Sequence, residues 1–216
     1  MAIGPEHLPI LRRLRPVHTI VDIGANRGQF ALAARYCFPR ARIVSFEPLP
    51  APAAIYRSVF ATDPLATLHE TAIGPQTGTT TIHVSRMDHS SSLLPIAAAQ
   101  NEVFPGTDEV ATATIAVGPL SAYLPADTIE PPALLKLDVQ GFELPALMAC
   151  ADRLSRFRWI YVECSFMELY QGQALADDVV AWLRGRGFTL RGQYNIARDR
   201  NGRAVQADFL FENITP

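Results

Sequence analysis

Apolar residues along the chain gather in short blocks punctuated by turn formers, a pattern that predicts alternating strands and helices. Ile20, Val21 and Ile23 form one such block, which runs into Gly24 and Gly28 and then into a helix-like series through Phe30, Leu32, Ala33 and Ala34. A second block, Ile43, Val44 and Phe46, ends in Glu47, and helical spacing returns over 53–60. Positions 65–73 read as a third strand, closed by Gly74 and Pro75. Segments 78–84 and 111–117 alternate with period two, as half-exposed strands do. Further on, 132–138 is a continuous apolar strand, 142–154 reads as a helix, and 157–163 is another strand. An amphipathic helix over 174–184 stops at Gly185 and Gly187, and two terminal strands, 188–194 and 205–211, flank a turn at 199–202. Alternation of this kind, ending in a strand pair, predicts an α/β fold: an open, mostly parallel sheet with an antiparallel carboxyl-terminal edge.

One stretch breaks the rhythm. Segment 85–110 is rich in Ser, Asp, Asn, Pro and Gly, and a loop of that length in a compact domain is either a functional lid or disordered. The 216 residues otherwise fit a single domain, with 1–17 as an amino-terminal extension and no linker dividing the rest. With a formal net charge of −2, composition gives no sign of nucleic-acid or acidic-membrane partners. No apolar run approaches a membrane span, and the amino terminus lacks a signal-peptide core. Cys37, Cys150 and Cys164 sit in apolar contexts without metal-type spacing, which suggests buried reduced thiols and a cytoplasmic protein. Lys136 is the sole lysine. It precedes Asp138 by two residues and so shares its strand face. Either it approaches a site or it is a structural lysine paired with an acid.

The candidate chemistry lies at the strand ends. Asp22, Glu47, Asp138 and Glu163 each end a predicted strand or stand beside its end, and in a doubly wound sheet those ends form the ligand crevice. Glu47 falls where nucleotide-binding units place the acid that takes ribose hydroxyls, roughly 20 residues past the glycines. Gly24 and Gly28 flank Asn26, so the middle glycine of a pyrophosphate-binding turn is missing, and Asp22 would repel a phosphate. A cofactor without phosphate and with a cationic centre suits this turn: S-adenosylmethionine. His89, followed by three serines, is either a general base on the lid or a solvated loop histidine. His83 reads as a strand-surface residue, His7 and His18 as peripheral, and Glu143 as a helix cap.

The chain resembles the FkbM family of S-adenosylmethionine-dependent methyltransferases. The resemblance is carried by V-D-I-G-A-N-R-G-Q-F at 21–30, S-F-E-P at 45–48, T-A-I-G at 71–74, S-S-S-L at 90–93, L-L-K-L-D-V-Q-G-F-E at 134–143, Y-V-E-C-S-F at 161–166 and Q-A-D-F-L-F at 206–211. It implies a Rossmann-like methyltransferase fold with a seven-stranded sheet and helices on both faces, and O-methylation of a sugar or natural-product hydroxyl. It also implies that Asp22, Gly24, Asn26 and Gly28 serve the methionine part of the cofactor, Glu47 the ribose, and Thr71 and Ala72 the adenine, with Pro48 a further cofactor-binding position. Asp138, His89 and Glu163 are then the catalytic candidates, with Asp138 or His89 taking the proton and Glu163 positioning the acceptor. Gln140 stands where the family more often has an acid. Two carboxylates near one hydroxyl could instead hold Mg²⁺, although no dedicated ligand spacing supports a metal. The competing classes are an NAD- or nucleotide-sugar-dependent enzyme, which the missing glycine and the lack of a Tyr-x-x-x-Lys pair disfavour, and a catalytically silent binding module. Nothing in the residues names the acceptor or the oligomeric state.

Overall fold

The computed structural model describes residues 4–214, so the first three residues of the expected extension lie outside the described ones. After a 3-10 turn at Pro5–His7 and the short helix α1 (Leu8–Leu11), the chain alternates as the apolar blocks predict. Strand β1 (Thr19–Ile23) leads into α2 (Gln29–Cys37), β2 (Arg42–Phe46), α3 (Pro50–Val59) and β3 (Ala66–His69). Next come β4 (Ala72–Ile73), β5 (Gly78–Ser85), α4 (Ala98–Val103) and β6 (Glu109–Gly118). The carboxyl-terminal half contributes β7 (Ala133–Leu137), α5 (Glu143–Met148), β8 (Phe157–Ser165), α6 (Ala176–Arg184), β9 (Phe188–Arg198) and β10 (Ala204–Asn213).

Seven strands form the main sheet in the order β3-β2-β1-β7-β8-β10-β9. Pairing is parallel from β3 through β8, whereas β10 runs antiparallel to both β8 and β9. The reversal of strand order between β1 and β7 creates the crevice at their carboxyl ends where such sheets bind ligands. Alternation along each strand sorts the faces. Ile20, Ile43, Leu134 and Trp159 pack against α1, α2 and Tyr56 of α3. Val21, Val44, Leu135 and Ile160 pack against α5 and α6 through Leu147, Val179 and Leu183. Helices therefore cover both faces. The first of these faces turns polar at its carboxyl end, where Asp22, Lys136 and Tyr161 follow in register and Asp138 and Glu163 come two residues further along their chains.

Two expectations change, and a third segment gains detail. The apolar run 65–73 is two strands in two sheets: β3 joins the main sheet, while β4 pairs with β6 in a three-stranded sheet ordered β4-β6-β5. The break falls at Glu70–Thr71, where Thr71 Oγ1 contacts Tyr123 Oη at 3.0 Å and the chain turns toward β6. β-propensity is high on both sides, so composition could not reveal the break. The helix expected over 142–154 stops after α5, because the Ala149 carbonyl accepts the Leu120 N–H and a separate 3-10 turn, Ala151–Arg156, follows. Segment 85–110 contains α4 and a 3-10 turn at Asp88–Ser90, and is stitched down by bridges His83–Ser92 and Ile96–Tyr170. Among the described residues, no helix is long and apolar enough to cross a membrane.

Gly24 sets the distance between β1 and β7. Its φ is +77°, and a Cβ there would sit 1.8 Å from the Asp138 carbonyl oxygen, a backbone atom that cannot move alone. Gly24→Ala should therefore destabilise the fold by about 3 kcal/mol or more in urea unfolding. A loss below about 1 kcal/mol would mean that the two strand ends are not in this contact.

Candidate active site

The turn after β1 and the end of β2 build one wall of a cleft. Glu47 is buried, and each of its oxygens accepts a backbone N–H: Asn26 at 2.9 Å and Leu49 at 2.8 Å. Burial pushes its pKa up to about 7 despite these two donors. Thr71 and Ala72, at the hinge between the two sheets, face it. The cleft is lined by Gly24, Asn26, Glu47, Pro48, Thr71 and Ala72, together with His89 and Asp138. Phe46, Ile73, Ile82, Leu93 and Phe142 give it apolar walls. Six of the eight expected cofactor residues thus share one cavity.

The other two lie beneath it. A Cβ at Gly28 (φ +90°) would meet the Tyr56 and Phe60 rings, so this glycine shapes the turn and does not line the cleft. Asp22 is fully buried. Its Oδ1 lies 3.2 Å from the Lys136 ammonium, its ion-pair partner, and among the described residues no other group hydrogen-bonds to either oxygen. Lys136 also donates to the Gly24 carbonyl at 3.0 Å and approaches Asp138 Oδ2 at 3.7 Å. Burial works against its charge, but Asp22 and Asp138 outweigh it and hold the ammonium above the ordinary lysine range. Lys136 is the structural, acid-paired lysine.

Beyond the cleft, the turn after β7 carries Gln140 with φ +55°. Its amide nitrogen donates to Asp138 Oδ1 at 2.7 Å and to Glu163 Oε2 at 3.0 Å. Tyr170 Oη lies 2.8 Å from Gln140 Oε1 and 3.0 Å from the Ser90 carbonyl. Gln206 donates to the other Glu163 oxygen at 2.6 Å. Burial and the nearby carboxylates Asp138, Asp208 and Glu143 drive the Glu163 pKa well above the carboxylate range. An acid at 140 would add a further carboxylate to this group, whereas the amide supplies a donor to two members of it. Glu143 caps the same turn by accepting the Val139 and Gly141 N–H groups at 3.0 and 3.2 Å.

Glu163 does not reach the first cleft. It lines an adjoining chamber roofed by segment 85–110, and the two spaces meet at His89, Asp138 and Gln140. His89 is exposed at that junction. The roof is tied to the glycine turn by Arg27, whose guanidinium donates to Asp88 at 2.6 Å. Sequence reasoning missed Gln140, Tyr170 and Gln206 as members of this network. Gln206 stands within a segment that carries the family resemblance, whereas only the fold brings Tyr170 here. His7 was expected at the periphery but lies 3.3 Å from Tyr161 Oη, at the edge of the polar face. Among the described residues, no group of three or more His, Cys, Asp or Glu side chains could hold a metal ion.

A model of the methyltransferase FkbM domain matches residues 22–190. The chain is 28% identical over 206 residues to the 2-O-methyltransferase NoeI of Sinorhizobium fredii, covering 92% of this chain and 81% of that protein. It is likewise 28% identical to the 31-O-demethyl-FK506 methyltransferase FkbM of Streptomyces tacrolimicus, covering 82% of this chain and 75% of the relative. Among solved structures, an rRNA-methylase-like protein from Clostridium thermocellum superposes with a TM-score of 0.55 at 11% identity, covering 100% of this chain and 97% of that one. At that identity the likeness concerns the fold alone.

Lys136→Met should destabilise the chain by about 3–5 kcal/mol at neutral pH, because it strands the buried Asp22 carboxylate without a cation. Adding Asp22→Asn should restore a large part of that loss in the same unfolding experiment. If the double variant is no more stable than the single one, the pairing is not what holds this floor.

Proposed function

The chain belongs to the FkbM methyltransferase family, and from that premise we propose that it transfers a methyl group from S-adenosylmethionine to a hydroxyl of a sugar or natural-product acceptor. The observation that carries the proposal is the junction of the two cavities at Asp138 and His89. One cavity has the chemistry of an adenosine site, the other is bordered by carboxylates and amides, and both candidate proton acceptors stand between them.

The residues fit the cofactor. Glu47 keeps a lone pair on each oxygen for ribose hydroxyls after serving Asn26 and Leu49. Among the described residues the buried Asn26 Oδ1 has no hydrogen-bond partner, so it is an acceptor in wait for a donor. The apolar walls suit adenine, and Gly24 leaves room for close approach of backbone and ligand. When bound, S-adenosylmethionine supplies an electrophilic methyl group on a sulfonium centre. The chain's task is to align the acceptor oxygen with that carbon and to accept a proton as the new bond forms. Asp138, half-exposed and held by the Gln140 amide, is oriented to accept the proton, with His89 as the alternative from the lid above. Glu163, fixed by Gln140 and Gln206, orients the acceptor from the far side, and segment 85–110 closes over it. A Mg²⁺ ion shared by Asp138 and Glu163 fits poorly, because the Gln140 amide occupies the place between the two carboxylates.

Two outcomes follow. Binding the ribose uses the ionised form of Glu47, whose pKa is about 7. Calorimetric affinity for S-adenosylmethionine should therefore fall with decreasing pH, approaching about tenfold per pH unit well below 7, and level off above it. Glu47→Gln should flatten that profile and lose about 2 kcal/mol at pH 8. An unchanged profile in the variant removes Glu47 from the ribose. For the chemistry, Asp138→Asn should lower turnover by about 10²–10⁴ while cofactor affinity stays within a few fold, and EDTA should leave the parent enzyme's activity intact. Normal turnover in the variant would pass the proton to His89, and inactivation by EDTA would restore the metal.

A further inference from the structure

A third cavity opens beside the glycine turn. It shares Gly24, Asn26, His89 and Asp138 with the cleft, and His89 and Asp138 with the chamber next to Glu163, so three spaces meet at one junction. One of its walls is the amino-terminal turn from Gly4 to His7, which lies outside the residues 22–190 that the family model matches. This turn is tied to the start of α2. The Gly4 N–H donates to the Gln29 carbonyl at 3.3 Å, and the His7 ring stands edge-on to Phe30 and Tyr161, with centroids 5.2 and 5.7 Å away.

A buried network orients the imidazole. The Tyr161 hydroxyl donates to Asp208 at 2.7 Å, and Asn195, in the left-handed region with φ +50°, donates to Tyr161 at 3.1 Å and to Asp208 at 2.7 Å. With its hydrogen engaged by Asp208, the Tyr161 hydroxyl accepts from His7 Nδ1 at 3.3 Å. Residues of β8, β9 and β10 thus converge on one face of His7 and leave Nε2 as its other polar atom. Two acids flank the ring: Asp208 lies 3.8 Å from Nδ1, and the half-exposed Glu6 lies 3.5 Å from Nε2.

Charge distinguishes this cavity from the two it joins. Among the described residues, neither lysine nor arginine lines the cleft or the chamber, whereas Arg27 and Lys136 both line the third space. Lys136 is committed to Asp22, Asp138 and the Gly24 carbonyl. Arg27 engages Asp88 through one amino group, and its guanidinium carries five N–H donors in all. With Glu6 and Asp138 on the same border, the cavity offers both signs of charge, as a zwitterion requires. The α-amino acid end is the zwitterionic part of S-adenosylmethionine.

We infer that the amino-terminal turn completes the cofactor site: the amino-acid end of S-adenosylmethionine enters the third cavity, where Arg27 and His7, the latter through Nε2 in its imidazolium form, hold the α-carboxylate. This rests on the methyltransferase reading and adds to it His7, a residue outside every segment that carries the family resemblance.

The test compares two ligands on the full chain by calorimetry: S-adenosylhomocysteine, and 5′-methylthioadenosine, which keeps the adenosine and the sulfur but lacks the amino-acid end. The parent should bind S-adenosylhomocysteine about tenfold more tightly or better. His7→Phe, which keeps a ring against Phe30 and Tyr161, and Arg27→Met should each weaken S-adenosylhomocysteine about tenfold and leave methylthioadenosine within about twofold. His7→Gln, whose amide reaches toward the place of Nε2, should recover part of the loss. Asp88→Asn breaks the tie to the roof but keeps the guanidinium, and should leave the ratio of the two affinities unchanged. Should His7→Phe lose both ligands by unfolding, His7→Asn, which keeps a donor for Tyr161 and removes Nε2, takes its place with the same expected ratio. A parent that binds neither compound counts against the methyltransferase reading, and the inference falls with it. A parent that binds both equally, or variants whose ratio stays at the parent's value, overturns the assignment of the third cavity and leaves that reading intact. An Asp88→Asn ratio as low as that of Arg27→Met removes Arg27 from the carboxylate.

Discussion

The floor of the site hangs on one buried ammonium group. Lys136 sits on β7 beside Asp22 of β1, donates to the carbonyl of Gly24, and leans toward Asp138. One cation thereby fixes the acid before the glycine turn, the turn itself and the acid after the neighbouring strand. Arginine would present a planar fork in place of a compact point charge, and a fork does not match three acceptors arranged around one centre. In a chain whose other cationic side chains are arginine, the single lysine stands where that geometry matters.

Around this cation the carboxylates outnumber the positive charges. Glu47 and Glu143 both have their pKa values pushed up to about 7 by burial, and Glu163 stands higher still among its acidic neighbours. A carboxyl whose pKa is raised on folding favours the folded chain while protonated, and that contribution declines as pH rises from the ordinary carboxylate range through the raised value. The arrangement is therefore a burden on the empty fold near neutrality. A sulfonium cation and a set of hydroxyl donors relieve it, so the same carboxylates that strain the chain favour its ligands. Amides moderate the crowding: Gln140 and Gln206 each place an N–H on a carboxylate where a further acid would aggravate repulsion.

Much of this was legible in the residues. The apolar blocks of β1, β2, β7 and β8 and the acids at their ends mark a parallel sheet with a crevice, because strand burial and carboxyl-end chemistry both leave local signatures. The pairing of Lys136 was one of two readings that its position two residues before Asp138 allowed. What the sequence hid were matters of direction. The run through Ala72 and Ile73 is as strand-like as the residues before it, yet Thr71 redirects it into a second sheet. Asp22 stands next to the glycine turn in sequence but points beneath it. Gln140 differs from the family's commoner acid, and only the positions of Glu163 and Tyr170, brought in by β8 and the loop after it, give its amide a purpose. Segment 85–110 has the composition of a loop, yet the contacts made by Asp88, Ser90 and Ile96 decide its path, and these depend on partners far away in the chain.

The seclusion of Lys136 has a consequence for how the molecule meets reagents. Its side chain is 6% exposed, and no other lysine exists in the sequence. Acylating or imidating chemistry finds no freely exposed lysine on the intact surface. The one lysine, 6% exposed at the border of a cavity, is reached far more readily when β1 and β7 part at the turn. The pace of modification at this residue is thus a clock for opening of the floor, read from inside the site and without a ligand.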